Sequence, residues 1–348
     1  MGIKDLLTAA LIASSWYTQD SKDLDKLTEQ ADSLYQKSTP DDREKALKIY
    51  EQIFEQTADQ DIEKKLIQCR LDVSAEKFNL AQRLWEFDAR TRKNREELSE
   101  QFKIKNQDEA REMAKPLYKT VIEQGERIVK ARPLNSETWK VLSVSYVRFN
   151  EIDKALDASR MHVRLKPQER DGYNMLFSLY LARNDPGAIL DDLKKIEYVE
   201  EDVKISKLTE GVNKLFSDFR SKGIVLTFNT KEIKNKQKAA ELFYLTSKTR
   251  WDQEIKKETM ADLDFIDAMH DSHRAGTLDL LSAETDEQKE AAFQRYQKSF
   301  DYINGKLQNG LGRLDKSYHL NFFKNKAIVM SDSDKVYEFL KSKFERKK

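Results

Sequence analysis

Residues 138–159, TWKVLSVSYVRFNEIDKALDAS, and residues 172–193, GYNMLFSLYLARNDPGAILDDL, superimpose at one fixed offset. Trp139 and Tyr173, Leu142 and Leu176, Tyr146 and Tyr180, Asn150 and Asn184, and the flanking Pro133 and Pro167 all stand 34 residues apart. Within each block the aromatic, leucine and tyrosine positions recur at i, i+3 and i+7. That is one face of an α-helix, so the spacing predicts a first helix that buries this face on a second. Asn150 is expected to end the first helix, and the second opens near Asp153. Ala155 falls where the two helices cross, a place that needs a small side chain, and Ile189 at the equivalent place predicts a wider crossing in the next unit. Pro133 and Pro167 cannot continue a helix and restrict the residue before them, so each separates one unit from the next.

A 34-residue unit that opens on an aromatic residue, carries Leu and Tyr at helical spacing, has a small residue in its second half and closes on Pro resembles the tetratricopeptide repeat (TPR). The resemblance covers residues 136–169 and 170 to about 203, with weaker helical hairpins flanking them. It departs from the family at Ser143 and Phe177, where Gly is preferred, and at Ser159 and Leu193, where an aromatic residue is preferred. The resemblance implies that the first helix of each unit lines a concave face, which here carries Lys140, Val144, Val147, Asn174, Ser178 and Leu181. It implies a protein or peptide partner and no cofactor. Co-chaperones of the family grip a peptide carboxylate with Lys and Asn, but Val144 stands where their Asn would be. The apolar Val144, Val147 and Leu181 suit an amphipathic helix or an extended segment better.

Outward from these units the chain stays helical in pattern. Residues 23–37 carry Leu24, Leu27, Ala31 and Leu34 on one stripe, and 38–42, STPDD, is a turn and N-cap signal. The run ALKIYEQIF at 46–54 resembles the second helix of a unit. Ala46 and Ala155 are not separated by a multiple of the repeat, so an insertion intervenes, expected as two over-long helices near 61–115 joined at Asn106 and ending in solvent. Pro116 is expected to start a further helix. Beyond Glu200 the period fails: Lys207, Glu210 and Lys214 occupy the aromatic and aliphatic positions, although Gly211 sits where the family accepts Gly. That helix is expected to be a cap at most. The run IVLTF at 224–228 is β-branched, but no partner strand is evident and a buried loop is expected. Helices are expected at 233–247, 251–270, 286–307 and 333–344. The domain reading is therefore an N-terminal helix or signal segment at 1–22, a TPR-like α-solenoid at 23–203 and a helical array at 204–348, all-α throughout.

The chain has 62 basic and 61 acidic residues, a balance that disfavours nucleic acid as the main partner. With 35% charged residues and no apolar run near 18 residues, no membrane span is expected. Cys69 is the only cysteine, which excludes an intrachain disulfide. Residues 2–17, GIKDLLTAALIASSWY, read either as an N-terminal helix of a cytoplasmic protein or as a short signal segment of an exported, periplasmic accessory to a transport system. Gly310 and Gly312 lack the Lys-Ser/Thr of a P-loop and read as a helix-end turn. Asp267, His270 and His273 stand three apart, a spacing that could hold Zn²⁺ on a helix, but Leu263, Ile266 and Met269 share it. A helix-end position is the expected role of those histidines. Trp85, Trp139 and Trp251 fall within apolar stripes and are expected in the core. The function expected from the sequence is a non-catalytic scaffold that holds a partner protein. A metal-binding or enzymatic protein built around His270 and His273 is the alternative from another class.

Overall fold

The computed structural model describes residues 23–221, 226–228, 232–257, 262–307, 328–330 and 339. The segment 1–22, the turn at Gly310 and Gly312 and, apart from Phe339, the helix expected over 333–344 lie outside the described residues. The chain is all-α in class, built from helices packed against their sequence neighbours, and divides into two compact units, 1–158 and 159–348. Among the described residues no helix is long and apolar enough to cross a membrane.

In the first unit, α1 (23–36), α2 (Pro40–Thr57) and α3 (Gln60–Trp85) close around Ala31, Ala46, Leu47, Tyr50, Leu66, Cys69 and Val73. Local signals set the boundaries: the Thr39 hydroxyl accepts from the Asp42 N–H, Pro40 opens α2, and Ala58 ends it in the left-handed region with φ 49°. Tyr50 and Lys65 both donate to Asp32, with Lys65 Nζ 2.7 Å from Oδ2, so a carboxylate on α1 ties down α2 and α3.

The insertion differs from the expectation of two bare helices. After α3 the chain makes a 3₁₀ turn (Phe87–Ala89), then α4 (Arg92–Phe102), and only then α5 (Gln107–Ala131). The charged stretch folds back because three apolar residues anchor it: Leu98 and Ile104 are buried with Ala81, Leu84, Phe87, Ala110, Ala114 and Tyr118, and Phe102 packs on that cluster. Pro116 does not start a helix; it lies inside α5. Asn106 starts it, accepting from the Glu109 N–H at 2.9 Å while Glu109 accepts from the Lys105 N–H, and this reciprocal cap settles the boundary. Trp85 is half-buried, edge-on to Tyr118, with the Arg148 guanidinium 4.9 Å from its ring centre. α6 (Ser136–Arg148) lies against α5 at Gly125, where a Cβ would stand 2.7 Å from Leu142 Cδ2. α7 (Ile152–Leu165) begins in the first unit and continues into the second.

The second unit holds α8 (Arg170–Ala182), a 3₁₀ turn (Pro186–Ala188), the short α9 (Ile189–Lys194), α10 (Glu201–Ser221), α11 (Lys236–Lys257), α12 (Asp262–Ser282) and α13 (Asp286–Leu307). α10 is a full helix docked on α8, with its apolar face one residue on from the family positions. Leu208, Val212, Leu215 and Phe216 are buried, while Lys207 and Lys214 pair with Glu210 and Asp218 at half-exposed positions. α12 runs on through Gly276, whose missing Cβ makes room for the Tyr296 ring of α13. α11 and α12 share a buried polar cluster in which Asp271, fully buried, takes Arg274 and lies 3.8 Å from Arg250, and the Arg274 guanidinium stacks 4.5 Å from the Phe216 ring of α10. The run at 224–228 is not a loop throughout: β1 (Leu226–Phe228) pairs in parallel with β2 (Ile328–Met330), Thr227 opposite Val329. Its partner lies beyond α13, too far along the chain for local pattern to reveal.

Candidate protein-binding site

The 34-residue offset recurs in the hydrogen bonds. Trp139 Nε1 donates to the Pro133 carbonyl at 2.7 Å, and Tyr173 Oη donates to the Pro167 carbonyl at 2.9 Å. Asn150 and Asn184 both occupy the left-handed region, with φ 58° and 55°. Their N–H groups donate to Val147 and Leu181, and the next N–H groups, of Glu151 and Asp185, return to Tyr146 and Tyr180. Asn tolerates this conformation at low cost, so the two asparagines end the first helix of each unit in the same way.

Two rows of side chains sort themselves along these helices. On α6, Leu142, Ser143, Ser145 and Tyr146 are buried, whereas Lys140, Val144 and Val147 are half-buried on one stripe. On α8, Tyr173, Leu176, Phe177, Leu179 and Tyr180 are buried, whereas Asn174, Ser178 and Leu181 are half-buried at the matching spacing. Trp139 corrects the sequence expectation: it is half-buried, although its indole N–H makes the same bond to a proline carbonyl as the Tyr173 hydroxyl. Tyr173, its counterpart, is fully buried.

The buried face is fixed by polar contacts beneath it. Ser143, the departure from Gly, donates to the Ala155 carbonyl at 2.9 Å and so ties α6 to the first turns of α7. Tyr146 Oη donates to Glu126 at 2.7 Å, and burial together with that carboxylate pushes its phenol well above the ordinary value. In the second unit, Asp192 accepts from Tyr180, from Arg160 Nε at 2.8 Å and from Lys195 at 3.1 Å, while Arg160 Nη2 donates to Tyr180 Oη at 2.7 Å. Burial opposes the charged form of Asp192, but these hydrogen bonds outweigh it and hold the carboxyl below its usual range. Burial and the same carboxylate push the Tyr180 phenol up to about 12. This network links α7, α8 and α9, and no sequence signal marked it, since an acid in a charged stretch reads as a solvated surface.

On α8 the half-buried stripe has one unsatisfied group. Asn174 Oδ1 is buried and has no hydrogen-bond partner among the described residues, while Ser178 Oγ donates to the Asn174 carbonyl. α10 crosses closely there: a Cβ on Gly211 would stand 2.8 Å from Asn174 N. The metal reading receives no geometry, because the side chains of Asp267, His270 and His273 lie outside the described residues. Their backbone does correct the helix-end expectation, since α12 continues to Ser282 and places both histidines within the helix.

No family model matches this sequence, and no curated protein matches it. Among solved structures, the TPR domain of P58(IPK) aligns at 13% identity over 80% of this chain and 99% of that one, with a TM-score of 0.21. At that score the two chains do not superpose as wholes, and the TPR-like description rests on the repeated caps, aromatic-to-carbonyl bonds and hairpins described above.

Proposed function

We propose that this chain is a non-catalytic interaction scaffold that holds a partner protein or peptide on the half-buried stripes of α6 and α8. The observation that carries this reading is the sorting of residues along those helices. Leu142, Tyr146, Tyr173, Leu176 and Tyr180 of the packed face are buried, and the interleaved Lys140, Val144, Val147, Asn174, Ser178 and Leu181 remain partly open. Apolar Val144, Val147 and Leu181 suit the apolar side of an amphipathic segment.

The test is affinity capture with the double variant Val144→Glu and Leu181→Glu. Both positions are half-buried, so the double substitution should cost some stability, and a retained helical circular dichroism signal with a cooperative melt is the control that the variant is folded. Capture of the partner that the wild type retains should be lost, because each carboxylate would be buried against apolar anchors. A folded double variant that retains the same partner at wild-type affinity removes α6 and α8 as the site.

A further inference from the structure

An open cleft of about 570 Å³ lies among α11, α12 and α13, within the size range of ligand-binding sites. Its α11 wall is one helix face: Gln237, Ala240, Glu241, Tyr244, Leu245 and Lys248 recur at three- and four-residue steps. Asp279 of α12 and Arg295 of α13 complete it. Ala240 and Leu245 give an apolar floor, and the ring of half-buried Tyr244 adds to it.

The charges of this lining are unevenly matched. Arg295 forks Asp279 through bonds of 2.7 and 2.8 Å, and Lys248 Nζ lies 3.1 Å from Asp252. Glu241 is exposed and has no ion-pair partner among the described residues, so in a lining of two acids and two bases it is the one charged side chain left without an opposite charge beside it. The Tyr244 hydroxyl is buried and has no hydrogen-bond partner among the described residues. An apolar floor, an aromatic ring, a lone carboxylate and an unused phenol oxygen form the complement of one kind of group. That group is a cation on an aliphatic stem with more than one N–H to give.

We propose that this cleft receives an arginine side chain from a partner polypeptide. The stem would lie over Ala240 and Leu245, the guanidinium would meet Glu241, and one N–H would be given to the Tyr244 oxygen. Guanidinium fits better than ammonium because its planar fork can serve a carboxylate and a phenol together while stacking on a ring. The proposal rests on the scaffold reading only in assuming a polypeptide partner. Its site lies on α11–α13, apart from the stripes of α6 and α8.

The experiment is a titration of the methyl-labelled full chain with N-acetyl-arginine amide, following the Leu245 methyl resonances, beside the uncharged isostere N-acetyl-citrulline amide. The expected result is a saturable Leu245 shift with the arginine probe and none with citrulline. Glu241→Gln, an exposed and volume-conserving change, should weaken binding by about two- to fivefold, the range of an exposed ion pair. Tyr244→Phe should weaken it several-fold while the spectrum stays native. The Val144→Glu and Leu181→Glu variant should bind the probe like wild type, so loss of partner capture there and loss of the cleft are separate outcomes. No saturable shift, equal binding of citrulline, or undiminished affinity in Glu241→Gln overturns the proposal.

Discussion

Gly211→Ala tests how closely α10 is seated on α8. An alanine Cβ would stand 2.8 Å from Asn174 N and 3.1 Å from both the carbonyl carbon and the Cβ of Tyr173. Two of those atoms are backbone, held by the hydrogen bonds of α8, and cannot swing aside as a side chain would. Restoring an ordinary contact near 3.5 Å requires α10 to move away by about 0.7 Å. That displacement strains an interface containing Leu208, Val212 and the edge-on pair of Phe177 and Phe216. Overpacking of this kind costs about 1–3 kcal/mol. Alanine returns about 1 kcal/mol through helix propensity, so the net expectation is a loss of roughly 1 kcal/mol, reaching about 2. Urea unfolding gives the stability, and hydrogen exchange across 170–221 locates the loss. Ser217→Ala, at an exposed position on the same helix, is the control for a propensity gain without overpacking, smaller than the gain from glycine. If Gly211→Ala instead stabilises the protein by the full propensity gain, α10 and α8 are not in close contact and the description of the second unit is wrong.

Other expectations follow from the buried polar groups. Arg160→Met leaves Asp192 charged and buried with part of its cage missing; breaking such a pair costs about 3–5 kcal/mol, and the partial exposure of Arg160 puts the expectation at the lower end. Asp192→Asn added to Arg160→Met should recover part of that loss, and strictly additive effects would mean the two groups are not coupled. The folded pKa of Asp192 is depressed, so its contribution is present above the unfolded value of about 4 and is lost as pH falls through the lower folded value; Asp192→Asn should flatten the acid limb of the stability profile. Burial, with Asp72 nearby, pushes the Cys69 thiol up to about 12, so thiol reagents at neutral pH should label it only through unfolding, and rapid labelling of the native chain would contradict its place in the first core.

The sequence carried the hairpins at 136–196 because their geometry is local. Aromatic, leucine and tyrosine at i, i+3 and i+7 fix one helix face, and Asn150 and Asn184 stop the helices through a conformation that few other residues adopt. What it concealed depends on contacts made across long separations. α4 looked like solvated charge because only Leu98, Phe102 and Ile104 interrupt it, and their partners lie on α3 and α5. The parallel pair of Leu226–Phe228 with Ile328–Met330 has no local signature. The apolar stripe of α10 was present in Leu208, Val212 and Leu215, but reading it in the family register gave Lys207, Glu210 and Lys214 instead. Buried charge was the least legible feature: Asp192 and Asp271 resemble surface acids until folding brings Arg160, Arg250 and Arg274 to them. The partial exposure of Lys140, Val144, Val147, Asn174, Ser178 and Leu181 follows from what remains of each first helix once the packed face is assigned, whereas their part in binding is the proposal made above. The α11 cleft could not be named in advance, because Asp279 and Arg295 reach it from two other helices.

The most direct test of the scaffold account is hydrogen exchange on the full chain, alone and saturated with the partner that Val144→Glu and Leu181→Glu fails to capture. The account predicts slowed exchange across 140–147 and 174–181 in the complex, with residues 60–102 unchanged. Protection confined to segments other than 140–147 and 174–181 would contradict it.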